Sequence, residues 1–128
     1  MKVKGWSYWI LVGIAVITII SGLVQLIAPG LELRMLSAEA TPTSRHFFAI
    51  VGMFMVLFGG AFLNALCSPT HHPIVVFWAG LQKFGAFAAV GLGVLHHIFS
   101  PLALFVAIFD LLSGVLMLWY WRKIRESP

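Results

Sequence analysis

The sequence is poor in charge. Of its 128 residues, eight are Lys or Arg and four are Asp or Glu, which makes 9% of the chain charged. Soluble proteins carry about 25% charged residues, and a chain this short has a large surface to solvate for its volume. With 61% apolar residues and a mean hydropathy of +1.01, the composition excludes an ordinary soluble domain. It predicts a single domain that resides in the lipid bilayer.

Cysteine is also scarce, since Cys67 is the sole thiol. One thiol forms neither an intrachain disulfide nor a CxxC pair, which excludes the quinone-linked four-helix thiol oxidoreductases. The sequence has no Cys/His metal spacing, no HExxH and no phosphate loop after a strand, and no nucleophile, base and orienting residue can be assembled. We therefore name no catalytic residue and no metal ligand, and the sequence identifies no cofactor.

Long runs without charge fill most of the chain, at 5–31, 46–82 and 84–109. Each exceeds the roughly 18 residues that indicate a spanning helix. The second run is divided by a turn at 67–73 that contains two prolines, and Pro101 is well placed to begin a helix within the third. The sequence predicts an all-α, antiparallel bundle of four transmembrane helices at about 6–28, 47–66, 74–96 and 101–121. We interpret the first span as a retained helix because its apolar run is too long for a signal peptide.

Basic residues cluster at the two ends of the chain, before the first span and after the last. An even number of spans places both ends on one side, and an excess of Lys and Arg marks the cytoplasmic side. The opposite side has only Arg34 and Arg45, partly offset by Glu32 and Glu39. We predict a multi-pass protein of the bacterial inner membrane with both termini in the cytoplasm. The basic ends therefore indicate orientation, and nothing in the sequence points to nucleic acid.

Aromatic residues give a second indication of sidedness. All tryptophans and tyrosines fall near the predicted cytoplasmic ends of the helices, as expected for an interfacial belt: Trp6, Tyr8, Trp9, Trp78, Trp119, Tyr120 and Trp121. The segment 29–45 is the one long connection on the other side. Its apolar residues fit a short helix on the membrane surface, and an irregular loop that Thr43 or Ser44 caps into the second span fits equally well.

Small residues spaced four apart predict the faces through which helices pack in lipid. The third span has Gly85, Ala89 and Gly93 at this spacing, and the second has Gly52 and Gly59. The fourth span presents one stripe formed by Ala103, Ala107, Asp110 and Gly114.

Lys83 and Asp110 are the charges deep within the predicted spans. They lie about 13 Å and about 16 Å from the cytoplasmic ends of adjacent antiparallel helices. A lone charge at that depth costs roughly 2.5–3.5 kcal/mol on insertion scales. We therefore predict an interhelical ion pair between Lys83 and Asp110. It serves either to fix the register of two helices or as the polar element of a ligand or proton site.

Further polar residues lie along the predicted interior. Thr18, Ser21 and Gln25 form a weak stripe on the first span, and together with residues of the other helices they are predicted to line a cavity open to the outer leaflet: Gln82, Ser113, Arg45, His46, His96 and His97. An apolar cavity with a few polar points suits a lipophilic ligand with a small polar head, such as a quinone or isoprenoid. Alternatively, Thr18 and Ser21 bond to carbonyls of their own helix.

Several short motifs resemble the DoxX-like group of small bacterial four-helix membrane proteins. They are Ser21-Gly22-Leu23-Val24-Gln25-Leu26-Ile27-Ala28-Pro29, Arg45 before a glycine-containing helix, Gly80-Leu81-Gln82-Lys83-Phe84-Gly85 and Phe109-Asp110-Leu111. The resemblance implies a four-helix architecture and a non-catalytic role, as an accessory subunit of a membrane oxidoreductase or as an assembly factor.

Three functions are consistent with these features. The first is a non-catalytic membrane protein that acts as an accessory or assembly subunit or binds a lipophilic molecule within the bundle. The second is a small proton-coupled transporter in which Asp110 titrates and oligomerisation encloses the path. The third is a membrane enzyme or cofactor carrier that uses the outer histidines, His46 with His96 or His97. Expected partners are the bilayer and a larger membrane complex or a second copy of the chain.

Overall fold

The computed structural model describes residues 5–126, and these residues are all-helical with no β-strand. The chain forms α1 (Trp6–Ile27), α2 (Pro29–Met35), α3 (Pro42–Cys67), α4 (Pro73–Leu95) and α5 (Ala103–Arg125). All but α2 are 22–26 residues long and apolar enough to cross a membrane, because 20 residues of helix span about 30 Å of hydrocarbon. The predicted all-α class with four candidate spans is confirmed.

Three helix boundaries differ from the prediction by two residues or more, and one of them is the end of α5, which lies at Arg125 and not at residue 121. Helix α3 begins at Pro42, five residues before the predicted second span, because Thr41 and Ser44 form a capping box. The amide of Ser44 donates to the Thr41 hydroxyl at 3.1 Å, and the amide of Thr41 donates to the Ser44 hydroxyl at 2.8 Å. Thr41 is thus the capping residue, with Ser44 as its partner. Helix α5 begins at Ala103, so Pro101 lies in the preceding turn and not at a helix start.

The connection after α1 contains a helix and is not an irregular loop. Pro29 occupies the first turn of α2, where a missing N–H costs nothing. The helix ends at Met35, and Ser37 just beyond it has a left-handed φ of 55°. The amide of Ala38 then donates to the carbonyl of Leu33 at 2.8 Å. This αL ending satisfies the last carbonyls of a helix only seven residues long.

The four long helices form two antiparallel pairs. α1 packs most extensively against α3, and α4 against α5, with fewer contacts between the pairs. We call the end of the bundle that holds residues 5–7, 68–72 and 122–126 the terminal end, and the end that holds α2 and residues 96–102 the loop end. In the α1–α3 pair, a Cβ at Gly22 would lie 2.7 Å from the carbonyl oxygen of Gly52, so glycine is required for this approach.

Glycine contacts also position α4, but Gly93 is the one member of the predicted stripe that takes part in them. Gly85 has no neighbour within 4 Å of the position a Cβ would take, and Ala89 is exposed. The close contacts of α4 come instead from Gly80, which packs on Leu118, and from Gly93, which packs on Phe99. Spacing alone predicted the packing face of α4 in part, since Gly93 is buried, whereas Gly85 and Ala89 lie on a side of α4 that no described helix covers. On α5 the predicted stripe is confirmed, since all of its members are buried: Ala103, Ala107, Asp110 and Gly114.

The apolar core occupies the half of the bundle nearest the terminal end. It joins all four long helices through one cluster of buried side chains: Tyr8, Leu11, Ile14, Ala15, Phe62, Leu66, Val76, Ala79, Met117, Tyr120 and Ile124. The Tyr8 hydroxyl donates to the carbonyl of Leu66 at 2.9 Å, and the rings of Trp6 and Trp119 stack with centroids 6.2 Å apart. The core thus holds the two helix pairs together at this end.

Candidate functional site

The structure brings Lys83 and Asp110 together between α4 and α5. The Nζ of Lys83 lies 3.3 Å from Oδ1 of Asp110, and the two residues are only 4% and 7% exposed. The small residues of the α5 stripe let the helices approach, so the carboxylate points into the bundle. An ammonium and a carboxylate in contact neutralise each other away from lipid, as charges at this depth require.

Thr18 of α1 completes a polar centre with this ion pair. The ammonium of Lys83 donates to the Thr18 hydroxyl at 2.6 Å, and that hydroxyl donates to the carbonyl of Ile14 at 2.8 Å. The hydroxyl therefore bonds to its own helix and also accepts from the lysine. The Phe109 ring lies beside the same ammonium, with its centroid 5.3 Å from Nζ. Lys83 thus links the α4–α5 pair to the α1–α3 pair at mid-height.

The remaining polar residues predicted on helices have separate positions. Gln25 is buried and donates from Nε2 to the carbonyl of Phe48 at 2.9 Å, so it ties α1 to α3. Ser113 is buried on α5, one turn after Asp110, while Ser21 and Gln82 are half-buried on α1 and α4. The structure therefore gives Gln25 a helix-packing role and joins Thr18 to the ion pair.

An open cavity of about 650 Å³ lies at the loop end, between the end of α1, the start of α2 and the start of α3. Most of its lining is apolar, with a few polar side chains: Leu26, Ile27, Ala28, Pro29, Gly30, Leu31, Arg34, Pro42, Arg45, His46 and Ala49. Of the residues predicted to contact a ligand, this lining includes His46, together with Arg45. The cavity thus places cationic and apolar groups side by side.

Two arginines converge on one glycine in this cavity. A Cβ at Gly30 would lie 3.0 Å from Cδ of Arg45 and 3.6 Å from Nη1 of Arg34. Within residues 5–126, neither guanidinium has a hydrogen bond or an ion pair. The first turn of α3 adds the partial positive charge of a helix N-terminus. The polar side of the cavity is therefore cationic.

One carboxylate close in sequence does not neutralise these arginines. Glu32 lies on α2 between Gly30 and Arg34, and burial raises the pKa of its carboxyl above the ordinary value. It forms no ion pair with any residue in the described part of the chain.

The histidines occupy several places. His97 lies two residues beyond the end of α4 and has a left-handed φ of 58°, and its amide donates to the carbonyl of Val94 at 3.1 Å. His46 lines the loop-end cavity. His72 lies at the terminal end, where its Nε2 is 2.8 Å from the Ser68 hydroxyl oxygen. Across residues 5–126, no three His, Cys, Asp or Glu side chains are grouped as a metal site would require.

Sequence reasoning missed Arg34 and Gly30 as site residues. A signal was present, because Arg34 and Arg45 are the only basic residues in a connection where the orientation rule predicts few. Their convergence depends on α2 being helical, which places Gly30 and Arg34 one turn apart. The sequence left that helix open as one of two alternatives.

A second, smaller cavity of about 230 Å³ lies on the side of the α3–α4 contact. Its lining is apolar: Phe58, Ala61, Ile74, Val75, Trp78 and Ala79. It offers no polar group to orient a ligand, so it fits a lipid chain and not a specific head group.

No protein-family model matches this chain, and no curated protein or solved structure matches it either. The resemblance to the DoxX-like group stays a prediction from the sequence motifs.

Proposed function

We propose that this chain is a non-catalytic protein of the bacterial inner membrane that binds a lipophilic molecule with a small polar head, such as an isoprenoid or quinone. In this proposal both termini face the cytoplasm, and the loop end lies at the outer leaflet. The protein holds its ligand as an accessory or assembly subunit of a larger membrane complex or as a homo-oligomer. The loop-end cavity is the observation that carries this proposal.

The size and lining of the cavity support this choice of ligand. Sites for small molecules occupy about 300–1,000 Å³, with mostly apolar walls and a few polar groups that orient the ligand, and this cavity has about 650 Å³. Its apolar rim includes Leu26, Ile27 and Leu31, all of them exposed. A lipid tail can therefore continue from the cavity along α1, while the head stays beside the arginines.

The polar centre favours binding over proton-coupled transport. A transporter requires Asp110 to exchange its proton during the cycle, but the carboxylate contacts Lys83, which is itself bonded to Thr18. These contacts hold the carboxylate between the helices, and none of the three residues lines the loop-end cavity. We therefore assign the pair the role of fixing the two helix pairs, and place ligand binding at the loop end.

Mass spectrometry of co-purifying lipids tests the proposal. The full chain is purified in a mild detergent, its lipids are extracted, and one lipophile is expected to be enriched over the bulk membrane lipids. Ala49→Phe fills the cavity and should abolish the enrichment. Val51→Phe enlarges an exposed side chain of the same helix that lines neither cavity, and it serves as the matched control. Equal lipid content in the wild type and the Ala49→Phe variant would refute the proposal.

A further inference from the structure

We infer that the head group bound at the loop end is an oxyanion of the phosphate-ester class, held between Arg34 and Arg45. This inference rests on the proposed function, because it concerns the same cavity and names the chemistry of its ligand. The approach of two exposed arginine side chains to Gly30, the guanidinium of Arg34 and the stem of Arg45, carries it.

Gly30 creates the space in which the two arginines meet. The stem of Arg45 passes so close that a Cβ at Gly30 would lie 3.0 Å from its Cδ. Nη1 of Arg34 lies 3.6 Å from the same point, so both side chains reach one side of α2. Gly30 has no positive φ, so backbone conformation does not require glycine here, and a Cβ at this position would instead press on the stem of Arg45.

The charges at this point lack a partner from the chain. Like charges brought together repel, and no carboxylate within residues 5–126 pairs with either guanidinium. An anion between them removes the repulsion and accepts their hydrogen bonds. His46 and the start of α3 lie on the same side and do not oppose a negative ligand.

The number of donors favours phosphate over carboxylate. Each guanidinium presents a fork that donates two parallel hydrogen bonds to two oxygens. A carboxylate has two oxygens and satisfies one fork, whereas a phosphate monoester has three terminal oxygens and can bridge both. The cavity also opens beside Leu26, Ile27 and Leu31, which favours a phosphate carried on a lipid over free phosphate.

Binding of two lipids that differ in the phosphate alone tests this inference. The full chain in detergent is titrated with dioleoyl phosphatidic acid and with dioleoylglycerol, and the complexes are measured by native mass spectrometry. We expect a Kd at least about tenfold lower for phosphatidic acid, and a loss of about tenfold in Arg34→Gln and in Arg45→Gln, which corresponds to about 1.4 kcal/mol. Arg122→Gln removes one charge from the exposed surface at the other end and should leave the Kd unchanged.

Two variants separate geometry from charge. Arg45→Lys keeps the charge but loses the fork, so we expect a loss of about threefold or more. Gly30→Val keeps every charge and displaces Arg45, and it should weaken the binding of phosphatidic acid about as much as Arg45→Gln does. Equal binding of phosphatidic acid by Gly30→Val and the wild type would overturn the assigned geometry.

The outcomes distinguish this inference from the proposed function. If dioleoylglycerol binds as tightly as phosphatidic acid and the arginine variants have no effect, the oxyanion inference is wrong and lipophile binding stands. If neither lipid binds and Ala49→Phe leaves the co-purifying lipids unchanged, the proposed function itself fails. Inorganic phosphate at millimolar concentration should not displace phosphatidic acid. Full displacement would assign the site to free phosphate and overturn the inference that the phosphate is carried on a lipid.

Discussion

The two halves of the bundle are held together by different kinds of contact. Toward the terminal end, large side chains such as Phe62 and Met117 are fully buried and come from all four long helices. Toward the loop end, most buried residues of the long helices are small or polar, among them Gly22, Gln25 and Gly52. One half is thus filled by side chains and the other by the close approach of two backbones.

This difference explains where a cavity can exist. Interlocked large side chains leave few voids at the terminal half, and the smaller cavity there, of about 230 Å³, lies on the side of the α3–α4 contact. At the loop half, glycines bring α1 close to α3, and Gly93 lets α4 pack on the turn that follows it. These glycine contacts therefore lie within each helix pair and not between the pairs. The two pairs meet there through a bond from the amide of Ser100 to the carbonyl of Leu36, 2.8 Å long. Lys83 bridges the pairs midway between the two halves.

The largest expected effect comes from breaking the ion pair of Lys83 and Asp110, which lies midway between these two halves. Asp110→Ala leaves Lys83 as an uncompensated buried charge, which costs about 3–5 kcal/mol of unfolding free energy. The double variant Lys83→Met with Asp110→Leu removes both charges and should recover most of that loss. Unfolding by dodecyl sulfate in mixed micelles measures the difference. A double variant as unstable as Asp110→Ala would show that the pair is not the source of the cost.

Removing a large side chain should damage the terminal half nearly as much. Phe62 is 2% exposed in the core cluster, and Phe62→Ala should cost about 3 kcal/mol through the cavity it leaves. Phe54→Ala on the same helix removes a ring that is half exposed, so it should cost little. The same micelle titration compares the two variants, and equal losses would contradict a side-chain-filled terminal half.

Adding a small side chain should damage the loop half. In Gly22→Ala the new Cβ would meet the carbonyl oxygen of Gly52 at 2.7 Å and the amide nitrogen of Val56 at 2.9 Å. Backbone cannot move aside cheaply, so we expect a loss of about 1–3 kcal/mol. Gly13→Ala lies on the same helix with no neighbour within 4 Å and should be neutral. If both variants behave alike, the α1–α3 approach is looser than described.

Much of the fold could be predicted from the sequence, because lipid imposes a simple rule. Spanning segments must be long, apolar and helical, so the apolar runs and the turns that divide them locate α1 and α4 to within one residue at each end. The start of α3 could not be found in this way. Its first turn is polar and lies outside the apolar run, and the capping box of Thr41 and Ser44 sets it instead.

The two candidate sites also differ in how much of each could be predicted from the sequence. The contact between Lys83 and Asp110 follows from the cost of isolated charge in lipid, whereas the bond to Thr18 depends on how α1 is rotated. The meeting of Arg34 with Arg45 depends on the exact course of α2. A seven-residue segment has too few positions for periodicity to decide between a helix and a loop.

The smallest expected effect is a pH dependence confined to the loop half. Burial raises the pKa of the Glu32 carboxyl, so the folded state holds this proton more tightly than the unfolded chain does. Stability therefore falls as the pH rises from the ordinary carboxyl pKa through the raised one, and it stays lower above that window. Glu32→Gln cannot ionise and should remove this part of the fall, with a gain of less than about 1 kcal/mol at neutral pH.

Thermal unfolding between pH 4 and pH 8 measures this slope, with Glu39→Gln as the control, because Glu39 is an exposed carboxylate in the same connection. A gain in stability for Glu32→Gln that grows with pH would locate the titration on α2. If the slope of stability against pH is unchanged in Glu32→Gln, ionised Glu32 must reach water at no cost. Helix α2 would then lie less firmly against α3 than its buried Leu33 indicates.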